Sequence, residues 1–194
     1  MPRRLSPDVR RAAILDQARR AFAHASYDAV NVADVARAAG VSEPLVHRYF
    51  AGKGGLYLEV VRGAAAELLR AQELADAELP ADASVRRRIE SSVEVTLDFV
   101  ARSPVGWTAP LRTPHETFPH AAEVRLAARD HYLHLLRTLL DLPADPGPDL
   151  VLRGYLAFVD AACVAWVEEG CPPGRRSHVV GACVGALEGA LDAG

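Results

Sequence analysis

Residues 31 to 53, NVADVARAAGVSEPLVHRYFAGK, read as two short helices joined by a tight turn, and that reading decides the fold. Asn31 can cap the first helix, with Asp34 three residues on to return the bond, and Val32, Val35, Ala36 and Ala39 fall on one face. Gly40 ends that helix, because glycine takes the left-handed conformation just past a helix end without steric cost. Val41 then points inward, and Ser42 is placed to cap a second helix by accepting from the Leu45 backbone N–H. Pro44 falls in the first turn, where a missing N–H is tolerated. The second helix turns Val46 and Phe50 inward and leaves Glu43, Pro44, His47, Arg48 and Ala51 outside. Two helices across a short glycine turn form the helix-turn-helix pattern, in which the second helix lies in the DNA major groove. An ordinary helical hairpin in an all-α protein carries the same periodicity.

The flanking chain is helical throughout. A first helix starts at Pro7 with Ser6 as cap and buries Ile14, Leu15, Ala18 and Phe22, leaving Arg10, Arg11, Arg19 and Arg20 outside. Arg3, Arg4, Arg10 and Arg11 lie near the end that approaches DNA, where a backbone role fits some of them. Leu56, Val60, Ala64, Leu68 and Ala71 predict one long helix to about Ala77, and Ile89, Val93, Leu97 and Val100 a second over 84–101. Residues 102–120 hold four prolines and predict loops or a broken helix. Another helix follows over about 119–142, and a last pair over about 149–169 and 176–192. LRGYLAFVDAACVAWVEEG is apolar on nearly all sides, which predicts burial all round. The final helix carries Gly181, Gly185 and Gly189 on one stripe; each glycine costs about 1 kcal/mol relative to alanine, so the stripe asks for the close approach of another backbone.

The run AxxAGVSEPLVHRYFAGKGGLY, preceded by the helix ILDQARRAF, resembles the N-terminal domain of the TetR (tetracycline repressor) family of transcriptional regulators. Phe22, Asn31, Val32, Val35, Ala36, Ala39, Gly40, Val41, Ser42, Val46, His47, Tyr49, Phe50, Lys53, Leu56 and Tyr57 carry the match, over roughly a quarter of the chain. The resemblance implies an all-α protein with a three-helix DNA-binding domain over residues 1–53. A larger helical domain over 54–194 would bind ligand and dimerise through the two C-terminal helices. It implies a homodimeric regulator, most often a repressor, that binds a palindromic operator on double-stranded DNA and lets go when a partly apolar small molecule fills its body. The DNA-binding residues are then Asn31, Ser42, Glu43, Pro44, Leu45, His47, Arg48, Tyr49 and Lys53. Arg48 is the best base reader, because an arginine can bond guanine O6 and N7 together; His47, Tyr49 and Lys53 would hold phosphates. Three departures from the family pattern stand out. Glu43-Pro44-Leu45 replaces the usual Lys-Gly-Thr, His47 replaces the common Tyr, and Gly54-Gly55 replaces charged residues. An acid can accept from cytosine N4 and a leucine can touch a thymine methyl, so the first change alters base preference more readily than it abolishes binding.

Charge agrees with a DNA-binding head. Residues 1–62 carry ten Lys or Arg against six Asp or Glu, about +4, and residues 63–194 carry 12 against 19, about −7, within a net charge of −3. Lys53 is the sole lysine. No run of about 18 uncharged apolar residues and no signal-peptide core is present, so the expectation is a soluble cytoplasmic protein without membrane contact. Three cysteines argue against a disulfide framework. Cys163, Cys171, His178 and Cys183 match no metal-binding or redox spacing, so no metal or cofactor is expected. No phosphate-cradling loop, nucleophile elbow or HExxH points to an enzyme.

The segment around 97–132 is the candidate effector pocket, with Phe99, Trp107, His115, Phe118 and Tyr132 as its walls and Trp166 reaching in from a later helix. Glu43, Pro44 and the Gly54-Gly55 pair also fit a different protein: a dimeric helical ligand-binding or interaction protein whose helix-turn-helix no longer reads DNA. An activator, or a repressor without ligand, fits the sequence as well.

Overall fold

The computed structural model describes residues 6–112 and 118–192, and among these the regular structure is all helical. The elements are α1 (Pro7–His24), α2 (Val32–Ala38), α3 (Glu43–Phe50), α4 (Lys53–Ala77), α5 (Val85–Arg102), α6 (Pro104–Arg112), α7 (Pro119–Leu139), α8 (Pro146–Glu168), a 3₁₀ turn (Pro173–Arg175) and α9 (Arg176–Asp192). Two compact units divide them. One comprises Met1–Ala65 and Ser103–Arg125; the other comprises Ala66–Arg102 and Leu126–Gly194. The units are drawn differently from the motif-based division at 53/54, since the first takes in α6 and the start of α7 as well as the helix-turn-helix.

In the first unit Ile14, Ala18 and Phe22 of α1 meet Val32, Val35 and Ala36 of α2, Val46 and Phe50 of α3, and Leu56, Tyr57, Val60 and Val61 of α4 in one core. The stripe spacing of α1 puts its three core residues at i, i+4 and i+8, which is why a single face suffices. Ser6 accepts from the Val9 N–H at 3.3 Å, as its position predicts. The other two caps differ in detail. Asn31 accepts from Ala33 N–H at 2.9 Å, whereas Asp34 does not return the bond and pairs instead with Arg37 at 2.6 Å. The Ser42 side chain makes no cap bond; Leu45 N–H goes to the Ser42 carbonyl at 3.0 Å, the tighter pattern common in a first helical turn. Gly40, at φ +67°, closes α2 as expected: its N–H reaches the Arg37 carbonyl, and Val41 N–H reaches that of Ala36.

The proline-rich segment is part helix, in keeping with a broken helix. α6 runs from Pro104 to Arg112 with Pro110 inside, which limits it to little more than two turns. It lies against the end of α1: a β-carbon added to Gly106 would stand 2.9 Å from the Phe22 carbonyl oxygen.

In the second unit Ile89, Val93, Leu97 and Val100 of α5 pack with Leu152, Tyr155, Val159, Cys163 and Trp166 of α8 and Val180, Cys183, Val184 and Leu187 of α9. Arg176 ties the start of α9 to α5, reaching Asp98 at 2.5 Å and the Glu94 carbonyl at 2.7 Å. The α8 sequence was expected to be buried all round, and within one chain it is not. Leu150, Gly154, Ala157, Phe158, Ala161 and Ala165 are exposed along the opposite face, with Leu150 74% exposed. α8 is long and apolar enough to cross a membrane by length and composition alone. Its Asp160, however, pairs with Arg129 of α7 at 2.6 Å, and its other apolar face closes the core. Burial pushes the Asp160 carboxyl above its ordinary range while the Arg129 guanidinium pulls it back. The glycine stripe of α9 is open too: a β-carbon on Gly181, Gly185 or Gly189 would meet nothing within 4 Å.

Candidate nucleic-acid interface

α3 is held from behind and bare in front. Val46 and Phe50 anchor it in the core, and the Arg11 guanidinium lies 5.0 Å from the Phe50 ring centre while pairing with Glu59 of α4 at 2.6 Å. Arg11 therefore braces α1, α3 and α4 against one another, a use that the sequence reading, which placed it toward DNA, did not see. The Arg11 hydrogen bond holds the Glu59 carboxyl below its ordinary value of 4.5, aided by Arg62. A carboxylate with a depressed folded pKa contributes stability above its unfolded value and loses it as pH falls through the folded one. Glu59→Gln should therefore lower the melting temperature at pH 7 by an amount worth about 1 kcal/mol or less, with the gap to the parent closing below pH 4.5; thermal melts from pH 7 to 3 check both the sign and the window.

On the outer side, Glu43, Pro44, His47 and Arg48 are exposed and Leu45 and Tyr49 are half-buried. Ser42 and Asn31 are exposed as well, with the Asn31 carbonyl oxygen engaged in capping and its amide nitrogen left for a partner. Arg48 makes no ion pair, hydrogen bond or ring contact among the described residues, so its guanidinium stands ready for an outside acceptor. His47 Nε2 lies 3.6 Å from Glu43 Oε1 one turn back. The Tyr49 ring is 6.4 Å from that of Phe50.

Lys53 is fixed by residues no sequence pattern suggested. Its ammonium sits 4.8 Å from the Tyr27 ring centre and donates to the Asp28 carbonyl at 3.2 Å. Two of its three N–H groups stay available at the start of α4. Arg3 and Arg4 lie outside the described residues.

The glycine pair after Lys53 is where the chain is closest to itself. Ala51 (φ 52°) and Gly52 (φ 94°) turn the chain from α3 into α4. A β-carbon on Gly55 would stand 1.8 Å from the Phe50 carbonyl oxygen, and one on Gly54 would stand 2.5 Å from the Phe118 ring. The departure from charged residues here thus has a packing reason. Gly55→Ala is expected to destabilise by about 1–3 kcal/mol, since backbone must move, whereas Gly54→Ala should cost less because a side chain can yield. Paired urea titrations order the two.

The residues proposed for the effector pocket divide between the units. Trp107 on α6 and Phe118 belong to the first. Phe118 stacks on Tyr27 with ring centres 6.1 Å apart and fills the space left by Gly54, so its ring is already part of the head core. Phe99, Tyr132 and Trp166 belong to the second. Phe99 is buried with the Arg102 guanidinium 5.9 Å from its ring centre, and Trp166 is buried with its indole N–H donating to the Pro172 carbonyl at 3.2 Å. The buried Tyr132 hydroxyl has no hydrogen-bond partner among the described residues, and burial together with the nearby Glu73 raises its pKa. His115 lies outside the described residues.

The three cysteines are free thiols, and no group of three or more metal-binding side chains gathers among the described residues. Burial pushes the thiols of Cys163 and Cys183 up to about 12 and about 11, which leaves them protonated and inert at neutral pH.

Residues 14–60 match the family model of bacterial regulatory proteins, tetR family. A curated relative, the HTH-type transcriptional activator FasR of Mycolicibacterium smegmatis, is 30% identical over 125 residues, 64% of this chain and 56% of that protein. The HTH-type transcriptional regulator BetI of Rhizobium meliloti is 31% identical over 112 residues, 56% of this chain and 54% of that one. The chain thus aligns over little more than half the length of these relatives. Among solved structures, a tetR-family transcriptional regulator from Streptomyces coelicolor superposes with a TM-score of 0.85 at 23% identity, covering 97% of this chain and 83% of that one. The transcriptional regulator FadR from Bacillus subtilis, in complex with stearoyl-CoA, superposes with a TM-score of 0.67 at 15% identity, covering 90% and 98%.

Proposed function

We infer from the match of residues 14–60 to the model of the tetR family of bacterial regulatory proteins that this chain is a homodimeric transcriptional regulator, a repressor that binds a palindromic operator and is released by a small molecule. The observation that carries this reading is the combination on α3 of a firmly buried back and a bare front with an unengaged arginine. A helix kept only for packing has no need to hold Arg48 clear of every partner, whereas a helix that enters the major groove does.

Pairing of two chains is supported by the uncovered faces of the last two long helices. The exposed apolar stripe on α8 and the open glycine stripe on α9 are the surfaces a second copy would cover, and a twofold pair presents two α3 helices to inverted half-sites. Of the expected pocket residues, Phe99, Tyr132 and Trp166 fall in the second unit, and the unpartnered Tyr132 hydroxyl would be the polar handle of an effector site there. That FadR was solved with stearoyl-CoA makes molecules with a long acyl chain the first effectors to try.

The test is selection of bound sequences from random duplex DNA by the purified protein at physiological salt. Enrichment of an inverted repeat whose half-sites lie about one helical turn or more apart supports the reading and supplies a probe for finding effectors by loss of binding. Only weak, sequence-independent binding that disappears with salt would overturn it in favour of a ligand-binding protein with a degenerate head.

A further inference from the structure

Glu43 is the only acid on α3, and a carboxylate at a DNA-facing position repels every phosphate it nears. It is compatible with a groove only where a base edge offers a donor; in the major groove cytosine N4 and adenine N6 both do, but adenine sets its N7 acceptor beside the donor, which repels a carboxylate, so cytosine suits a side chain that can only accept. Glu43 has one further neighbour. His47, one turn on, brings Nε2 to 3.6 Å from Glu43 Oε1, a distance that an Nε2–H tautomer or the charged imidazolium closes into a hydrogen bond by a small side-chain adjustment. The other ring nitrogen faces the C-terminal end of the helix: His47 Nδ1 would lie 3.6 Å from a β-carbon on Gly52. An imidazole so placed points at the carboxylate rather than away from the helix toward a phosphate.

Resting on the operator-reading function proposed above, we propose that Glu43 and His47 act as one reading unit that selects a cytosine in each half-site: His47 bonds one carboxylate oxygen and fixes the rotamer, and the other oxygen accepts from cytosine N4. His47 is then a positioning residue, not the phosphate ligand its place in the family pattern implies. The charged groups around the pair are few. Arg48 follows His47 on the same helix and is unengaged, and the Lys53 ammonium is held by Tyr27 and Asp28. Among the described residues neither lies within ion-pair distance of Glu43, so the carboxylate keeps its acceptor capacity for a base.

Sequence selection on random duplex DNA with the full-length protein and three variants tests this. Glu43→Gln should lose its cytosine preference at one position of each half-site by at least about fivefold, while its binding to unrelated duplex strengthens because a negative charge has gone. His47→Ala should weaken the same single preference by a larger factor than it changes binding to unrelated duplex. His47→Gln, which keeps a donor at similar reach, should restore it. A Glu43→Gln profile identical to the parent's, or a His47→Ala variant that binds all sequences more weakly by one common factor, overturns the proposal while leaving the operator-reading function intact. A parent protein that selects no sequence overturns that function first.

Discussion

Gly185→Leu is expected to sediment as a monomer of about 21 kDa and the parent, paired as proposed above, at twice that mass, with the same helical content in both. The argument starts from what the glycine does inside one chain, which is nothing. A β-carbon at 185 would meet no atom within 4 Å, and the same holds at 181 and 189, so alanine at each position would favour the helix by about 1 kcal/mol. The core side of α9 is made by Val180, Cys183, Val184 and Leu187. Three glycines on its other side therefore make sense only if another backbone closes on them, and a leucine there holds that backbone off. The loss carries to DNA. Two linked heads on two half-sites gain about 10²–10⁴ in affinity over one head, so operator binding should fall by that order. A Gly185→Leu protein that remained a dimer would place the pairing surface elsewhere. Gly185→Ala sharpens the comparison: a raised melting temperature with an intact dimer would mean that nothing packs there.

Most of the first unit could be read from residues 6–60, because the rules that act there are local. Gly40 and Ser6 behave as their sequence positions predict, and the apolar stripe Ile14, Ala18, Phe22 is the buried one. What could not be read were partners far along the chain. Arg11 meets Glu59, 48 residues away, and Tyr57 accepts from Arg125 at 2.7 Å, 68 residues away. Tyr27 and Phe118 are neighbours only because residues 103–125 belong to the first unit. No periodicity encodes such meetings; they follow from how helices stack once each has chosen its face. Phe99, Trp107, Phe118 and Tyr132 lie close in sequence, yet Trp107 and Phe118 fall in the first unit and Phe99 and Tyr132 in the second, a division that no spacing encodes. In α8 the apolar pattern predicts burial all round without saying how the cover is shared: one face closes the core of its own chain, and the face with Leu150 and Phe158 is left exposed.

Arg48→Ala should cost about 1–3 kcal/mol in operator affinity, roughly 5- to 150-fold, and should relax the choice of base at one position of each half-site while leaving the others as they were. Two features of the structure set that expectation. Arg48 is exposed and unengaged, so removing it leaves no buried group unpaired and the fold should keep its melting temperature; the whole effect is then on binding. Its helix is also rigidly placed: Val46 and Phe50 are buried, and Arg11 lies against the Phe50 ring. A planar guanidinium on a fixed helix can present two donors to O6 and N7 of one guanine, which a flexible side chain contacting phosphate cannot do with the same discrimination. Lys53→Ala is the control. Its ammonium is held at the start of α4 by Tyr27 and the Asp28 carbonyl, away from the reading face of α3, so its removal should weaken binding to all sequences by a similar factor and reduce the salt dependence by about one phosphate. Binding of both variants to the selected operator, to its single-base variants and to unrelated duplex, each at several salt concentrations, separates the two roles. If Arg48→Ala lowered every affinity by one common factor and Lys53→Ala changed base choice, the assignments would have to be exchanged, and reading would start from the α3–α4 junction instead of from the exposed face of α3.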